Sequence, residues 1–281
     1  MRKSTKIWLI VASSLTLFGA LVFTFAMMTE NWDFTKLSIV RYETNSYIIT
    51  EPIEHVQINA DTANIKILPA EDDVCRVECY EQSGAKHTVE MEGERLIITS
   101  TDSRQWYEYI SVGVQTATIT VYLPEDVYGH ISVLATTGDF SIENLNLNVL
   151  SCTLTAGKII AQNLDCIMDV RLTVSTGNTI VKNVVCDGFI SKGNTGDTML
   201  ENLISTGTFE VYRTTGNVNF FLCDAPEICI ETDTGNVTGS WLTPKIILTE
   251  TDTGKVNVPA STTGGKCSVK TTTGDVNISI K

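Results

Sequence analysis

Four decapeptides, TTGDFSIENL (136–145), TAGKIIAQNL (155–164), STGNTIVKNV (175–184) and NTGDTMLENL (194–203), align without a gap. Each carries a glycine at its third place, an apolar residue four places on (Ile142, Ala161, Val181, Leu200) and an asparagine two places after that. Working outward, the glycine recurs at Gly138, Gly157, Gly177, Gly196, Gly216, Gly235, Gly254 and Gly274, at intervals of 19 or 20 residues. Threonine precedes it everywhere except at Ala156, and Asp, Asn or Lys follows it. Glycine supplies backbone angles that a side chain forbids, and Asp and Asn tolerate the left-handed region, so each triplet reads as a corner.

Strands flank every corner. Two places beyond the glycine stand Phe140, Ile159, Val218, Val237, Val256 and Val276, and seven before it stand Ile131, Leu150, Val170, Phe189, Phe209, Ile228, Ile247 and Cys267. Alternation with β-branched residues marks strands with one buried face, two per repeat. The asparagines Asn144, Asn163, Asn183 and Asn202 then choose between architectures. Identical amides stack at the strand spacing of ~4.8 Å only if successive repeats lie parallel and in register; an antiparallel meander would send alternate copies to opposite ends. The reading is an all-β fold, a single-chain parallel β-solenoid of about eight 19–20-residue coils over residues 131–281. Residues 51–130 read as a β-rich cap with a degenerate first repeat, Asp61-Thr62-Ala63-Asn64, where Ala63 replaces glycine. The last coil ends at Lys281, so its final strand is expected to offer an open edge for self-association or partner docking.

The N-terminal part sets the expected compartment. Residues 7–28 carry no charged side chain and suffice for a helix of ~30 Å. Arg2, Lys3 and Lys6 precede that run and Glu30 and Asp33 follow it. The asymmetry predicts a cytoplasmic tail (1–6), a single transmembrane signal-anchor helix (7–28), a juxtamembrane stalk (29–50) and an extracellular remainder at the cell membrane. A cleaved secretory signal is the rival, with Thr24, Phe25 and Ala26 as a weak cleavage site.

Charge and motif chemistry narrow the function. With 20 basic against 33 acidic residues the net charge is −13, which repels phosphate backbones, so nucleic acid is not an expected partner. No metal, cofactor or catalytic residues are expected. His55, His87 and His130 stand apart in the sequence, and most of the eight cysteines fall at positions that neighbouring repeats fill with Leu, Val or Ile. Asp233-Thr234-Gly235 and Asp252-Thr253-Gly254 match the aspartic-protease triplet, but six other corners share that position without Asp. Lys192 and Arg213 stand alone among outward columns of Ser, Thr and Asn, which gives a polysaccharide-lyase site little to work with. Trp106, Tyr107 and Tyr109, beside Arg104, form an aromatic cluster that could bind a partner.

The repeated turns at Thr136–Asp139 and Thr272–Asp275, with the opening segment Asn59–Pro69, resemble the bacterial toast-rack family of β-strand-repeat proteins, also described as candidate adhesins. The resemblance covers roughly residues 50 to 281 and implies a bacterial cell envelope; the family has no agreed activity or binding residues to carry over. Two function classes follow. One is an adhesin-like surface scaffold or binding module with a protein or glycan partner. The other is an accessory or regulatory subunit of an envelope-stress sensing system acting through membrane partners.

Overall fold

The computed structural model describes residues 3–33, 41–104 and 115–281. The chain divides into two compact units, Met1–Tyr42 with Ser103–Gln115, and Glu43–Asp102 with Thr116–Lys281. The first holds α1 (Lys3–Thr29), of which Ser4–Thr29 is long and apolar enough to cross a bilayer, as a single-pass anchor or a signal sequence would be. Thr16 and Thr24 donate their hydroxyls to the carbonyls of Ala12 and Ala20, so these polar groups are satisfied within the helix.

The second unit is built of strands. Its N-terminal part contains β1 (Tyr42–Ile49), β2 (His55–Thr62), β3 (Asn64–Pro69), β4 (Cys75–Gln82), β5 (Ala85–Glu92), β6 (Arg95–Asp102) and β7 (Thr118–Leu123). The glycine-corner repeats follow as β8 (Val127–Thr137), β9 (Phe140–Ala156), β10 (Ile159–Cys166), β11 (Asp169–Thr176), β12 (Thr179–Cys186), β13 (Gly188–Thr195), β14 (Thr198–Ser205) and β15 (Thr208–Thr215). They continue as β16 (Val218–Cys223), β17 (Glu227–Thr234), β18 (Val237–Trp241), β19 (Lys245–Thr253), β20 (Val256–Asn257), β21 (Gly265–Thr273) and β22 (Val276–Ile280).

Strands that follow a corner stack on one another in parallel, and so do strands that precede one. Leu145 sits against Leu164, Leu164 against Val184 and Val184 against Leu203. On the other side Leu150 sits against Val170, Val170 against Phe189 and Phe189 against Phe209. Partners are 19 or 20 residues apart, so the period read from the glycines is the length of one winding. Both inward faces are dry: Phe140, Ile159, Leu164, Val170, Phe189, Phe209, Val218 and Phe220 are buried. Trp241 continues the stack, 4.1 Å centroid to centroid from Phe220 and edge-on to Phe209 at 5.4 Å. Non-directional burial of this kind is the main favourable term holding such windings together.

Winding order departs from sequence order at both ends. β2 and β3 stack directly on β8 and β9, and the intervening chain lies beyond them: β6 on β2, β7 on β3, then β5 and β4 antiparallel to β6 and β7, with β1 beside β4. At the other end β21 and β22 stack on β17 and β18, while β19 and β20 lie outside them. The expectation that the final strand is an open edge holds for only part of that strand. β22 is paired on both sides at Val276 and Asn277, whereas Ile278, Ser279 and Ile280 pair with β18 alone; β19 and β20 are likewise each paired on one side only among the described residues. The strand character expected of residues 37–49 within the stalk is seen as β1, which pairs with β4 of the cap.

A second correction concerns Arg213, which points inward and is 4% exposed. Its guanidinium donates to Thr198 Oγ1 (2.6 Å), Thr179 Oγ1 (2.8 Å) and Ser191 Oγ (3.2 Å). Room for it comes from Gly193, where a Cβ would lie 1.7 Å from Nη1. Three hydroxyls at inward positions replace water around the cation, and burial lowers its pKa to about 10.

Candidate functional site

The repeated residues explain themselves as architecture. A Cβ on Gly157 would lie 2.0 Å from the carbonyl oxygen of Gly138, and one on Gly177 would lie 1.7 Å from that of Gly157. With φ of 140° and 142° these corners exclude side chains twice over, by close stacking and by backbone conformation. Gly138, Gly196, Gly216, Gly235, Gly254 and Gly274 meet the same stacked carbonyls. Ala63 stands in that column too, its carbonyl 2.0 Å from where a Gly138 Cβ would be.

Two hydrogen-bond ladders run beside the glycines. Asn144, Asn163, Asn183 and Asn202 adopt φ of 51–57°, and each amide donates to its neighbour's Oδ1: Asn163 to Asn144 (2.8 Å), Asn183 to Asn163 (2.8 Å), Asn202 to Asn183 (3.0 Å). Asparagine is thus selected by both the bend and the stack. In the second ladder the Asp or Asn after a corner glycine accepts the next winding's backbone N–H, as Asp139 does from Lys158 and Asn217 from Asn236, and Lys158, with no side-chain acceptor, interrupts the run. It continues from Asn236 to Asp275 and ends from Asp275 to Lys255, tracing the altered winding order. Lys255 has no side-chain acceptor and needs none at the outer winding.

Of the sequence candidates for binding, Trp106, Tyr107 and Tyr109 lie outside the described residues. Asp233 and Asp252 end on β17 and β19, which β21 separates, so their backbones are two strand spacings or ~9.6 Å apart. All eight cysteines are free; Cys229 is partly exposed and the others are buried. Burial pushes the thiols of Cys75 and Cys79 up to about 12, with the Glu81 carboxylate adding to the effect at Cys79, so neither is a ready nucleophile.

Two features were not legible in the sequence. On the outer face of the sheet containing β10, β12, β14 and β16, Ile160, Ile180 and Met199 form a row of direct parallel neighbours. Met199 and, diagonally from it, Phe221 are 42% and 45% exposed, and a Lys182–Glu201 ion pair (3.0 Å) runs alongside. Together with the partly exposed Ile160 and Ile180, Met199 and Phe221 make a short apolar patch, bounded along its row by Ser141 and Asn219, and exposed apolar groups on a rigid face can mark interaction sites. The second feature overturns the isolation of His87. The β4–β5 hairpin brings it against Glu81 and Cys79, with Nδ1 of His87 2.7 Å from Glu81 Oε2.

Solved structures to which the chain shows similarity include a candidate cell adhesion protein from Clostridium sporogenes (14% identity, 86% of this chain and 100% of that chain covered, TM-score 0.29). A candidate adhesin from Bacteroides fragilis is 14% identical over 85% of this chain and 97% of its own, with a TM-score of 0.40. A candidate lipid binding protein from Parabacteroides distasonis is 13% identical over 86% and 98%, with a TM-score of 0.36. No curated protein matches the chain in sequence. The pattern of one family does match, over residues 53–281, from the start of the cap to the last winding. With its stacked corners and family pattern in agreement, the chain belongs to the Toastrack DUF4097 family.

Proposed function

We propose that this chain is an adhesin-like, non-enzymatic surface module. It is held at the cell membrane by α1 with its N-terminus in the cytoplasm, and presents about eight stacked windings outside the cell to a macromolecular partner. The observation that carries this reading is the row Ile160–Ile180–Met199 with Phe221. Parallel register repeats outward side chains at a fixed ~4.8 Å, which suits an extended contact with a protein better than the enclosure of a small substrate. Apolar and aromatic side chains beside an ion pair favour a protein over a glycan.

Crosslinking in intact cells followed by affinity recovery tests the reading, with the wild-type chain beside Met199→Asp and Phe221→Asp. Recovery of a matrix or partner-cell surface protein that both variants lose supports an adhesin-like module. Recovery of a membrane kinase or other signalling regulator instead favours an accessory subunit of an envelope-stress system, and undiminished recovery by the variants removes the apolar row from the account.

Self-association through the outermost winding forms part of the same proposal. β19 carries Leu248, 70% exposed, along an edge paired only with β21 among the described residues. A second copy of the chain aligning its own β19 there would pair both edges by one two-fold contact. Sedimentation of the detergent-solubilised chain should give a dimer that Leu248→Lys dissociates, and a monomer at all concentrations contradicts it.

A further inference from the structure

The cap holds a cluster that the surface function does not use. Along β4 the inward residues are Cys75, Val77, Cys79 and Glu81, and the last three are fully buried. The chain reverses after Gln82, which pairs with Ala85, and this tight hairpin returns His87 beside Glu81 at 5% exposure. Glu81 Oε2 accepts from the His87 backbone N–H at 2.6 Å and lies 2.7 Å from His87 Nδ1. Its other oxygen accepts from Asn45 Nδ2, on β1, at 2.7 Å. One donor atom from each of Cys79, Glu81 and His87 falls within 4.8 Å of the others.

We propose that Cys79, Glu81 and His87 bind a single divalent ion of the zinc class. The donor set argues for that class: a sulfur, an imidazole nitrogen and a carboxylate oxygen suit borderline-soft zinc, whereas calcium and magnesium take oxygen. Geometry agrees. Zinc bond lengths of ~2.0–2.3 Å place tetrahedral donors roughly 3.3–3.8 Å apart, inside the 4.8 Å that bounds these three donor atoms, and the 2.7 Å Nδ1–Oε2 contact opens by roughly 0.6 Å. Asn45 holds the carboxylate in place from the far side, as outer hydrogen bonds do around metal ligands. On binding, the Cys79 S–H bond breaks, the sulfur lone pair forms the bond to the metal, and the proton leaves to solvent.

The site would join β4 to β5 at the outer end of the cap, so the ion should stabilise the unit that carries it. Purified full-length chain in detergent, stripped with chelator and shown by circular dichroism to remain folded, is titrated with Co2+ and then Zn2+. One equivalent of Co2+ should give a thiolate charge-transfer band that Zn2+ abolishes, and Zn2+ at a hundredfold excess over Kd should raise the thermal midpoint by about 5–10 °C. Cys79→Ser should lose the band, Glu81→Gln should weaken binding at least tenfold, and Cys75→Ser, a buried thiol on the same strand, should keep both. A folded wild-type chain with no band and no Zn2+-dependent midpoint overturns the proposal, as does a band that survives Cys79→Ser.

Discussion

Replacing Asn183 by alanine attacks the asparagine ladder in its middle. The side chain donates to Asn163 at 2.8 Å and accepts from Asn202 at 3.0 Å, so two hydrogen bonds go at once. Each contributes ~0.5–1.5 kcal/mol, toward the lower end here because the ladder faces solvent. The backbone at Asn183 has φ 52°, and an alanine forced into that left-handed conformation costs roughly 1–2 kcal/mol. The sum is about 2–4 kcal/mol, which for a unit of this size lowers the thermal midpoint by about 5–15 °C. Asn183→Gly removes the same bonds but not the permitted angle, and should fall between wild type and Asn183→Ala. Calorimetry of the full-length chain in detergent measures all three. Alanine at the wild-type midpoint, or glycine below alanine, would refute the reasoning.

Leu222 continues the same column with φ 54° but has no amide, so Leu222→Asn should relieve the strain and extend the ladder to Asn202; an increase of about 2–4 °C is expected by calorimetry, net of some lost apolar contact. Leu164, 2% exposed between Leu145 and Val184, cannot accommodate a carboxylate, and Leu164→Asp should cost several kcal/mol and abolish the cooperative transition in circular dichroism. His130 is desolvated by burial and repelled by His55 and Arg171, so its folded pKa lies below the usual 6.5. The unfolded chain then binds the extra proton first, and stability falls as pH drops from the unfolded value through the folded one. Urea midpoints between pH 7.5 and 5 should show this decline, smaller in His130→Gln.

The winding period, the parallel register and both inward faces were readable because the constraint repeats. Gly138 to Gly274 and Asn144 to Asn202 each meet the same neighbour in every winding, so one physical demand is written many times. Winding order was not readable, since spacings of 19, 19 and 20 residues between Gly216, Gly235, Gly254 and Gly274 are the same whichever winding lies outermost. The faint signal was Leu248 at an outward position; Lys255 gave none, since Lys158 stands at the same corner position in an interior winding. Arg213 misled because its column was assigned from composition; only the missing side chain at Gly193 makes room for it inside. Cys79, Glu81 and His87 stayed invisible as a group because a hairpin, not a repeat, brings them together.

Parallel stacking with an inserted final winding makes a sharp prediction about three exposed residues. Glu231 neighbours Lys270, which neighbours Glu250, so Glu231 and Glu250 are two strand spacings or ~9.6 Å apart, beyond the ~7 Å reach of a disulfide. In a Cys229→Ser background, mild oxidation should rapidly link Glu231→Cys to Lys270→Cys and leave Glu231→Cys with Glu250→Cys unlinked. A bond between 231 and 250 in preference would restore sequence order, and no bond in either pair would contradict parallel register itself.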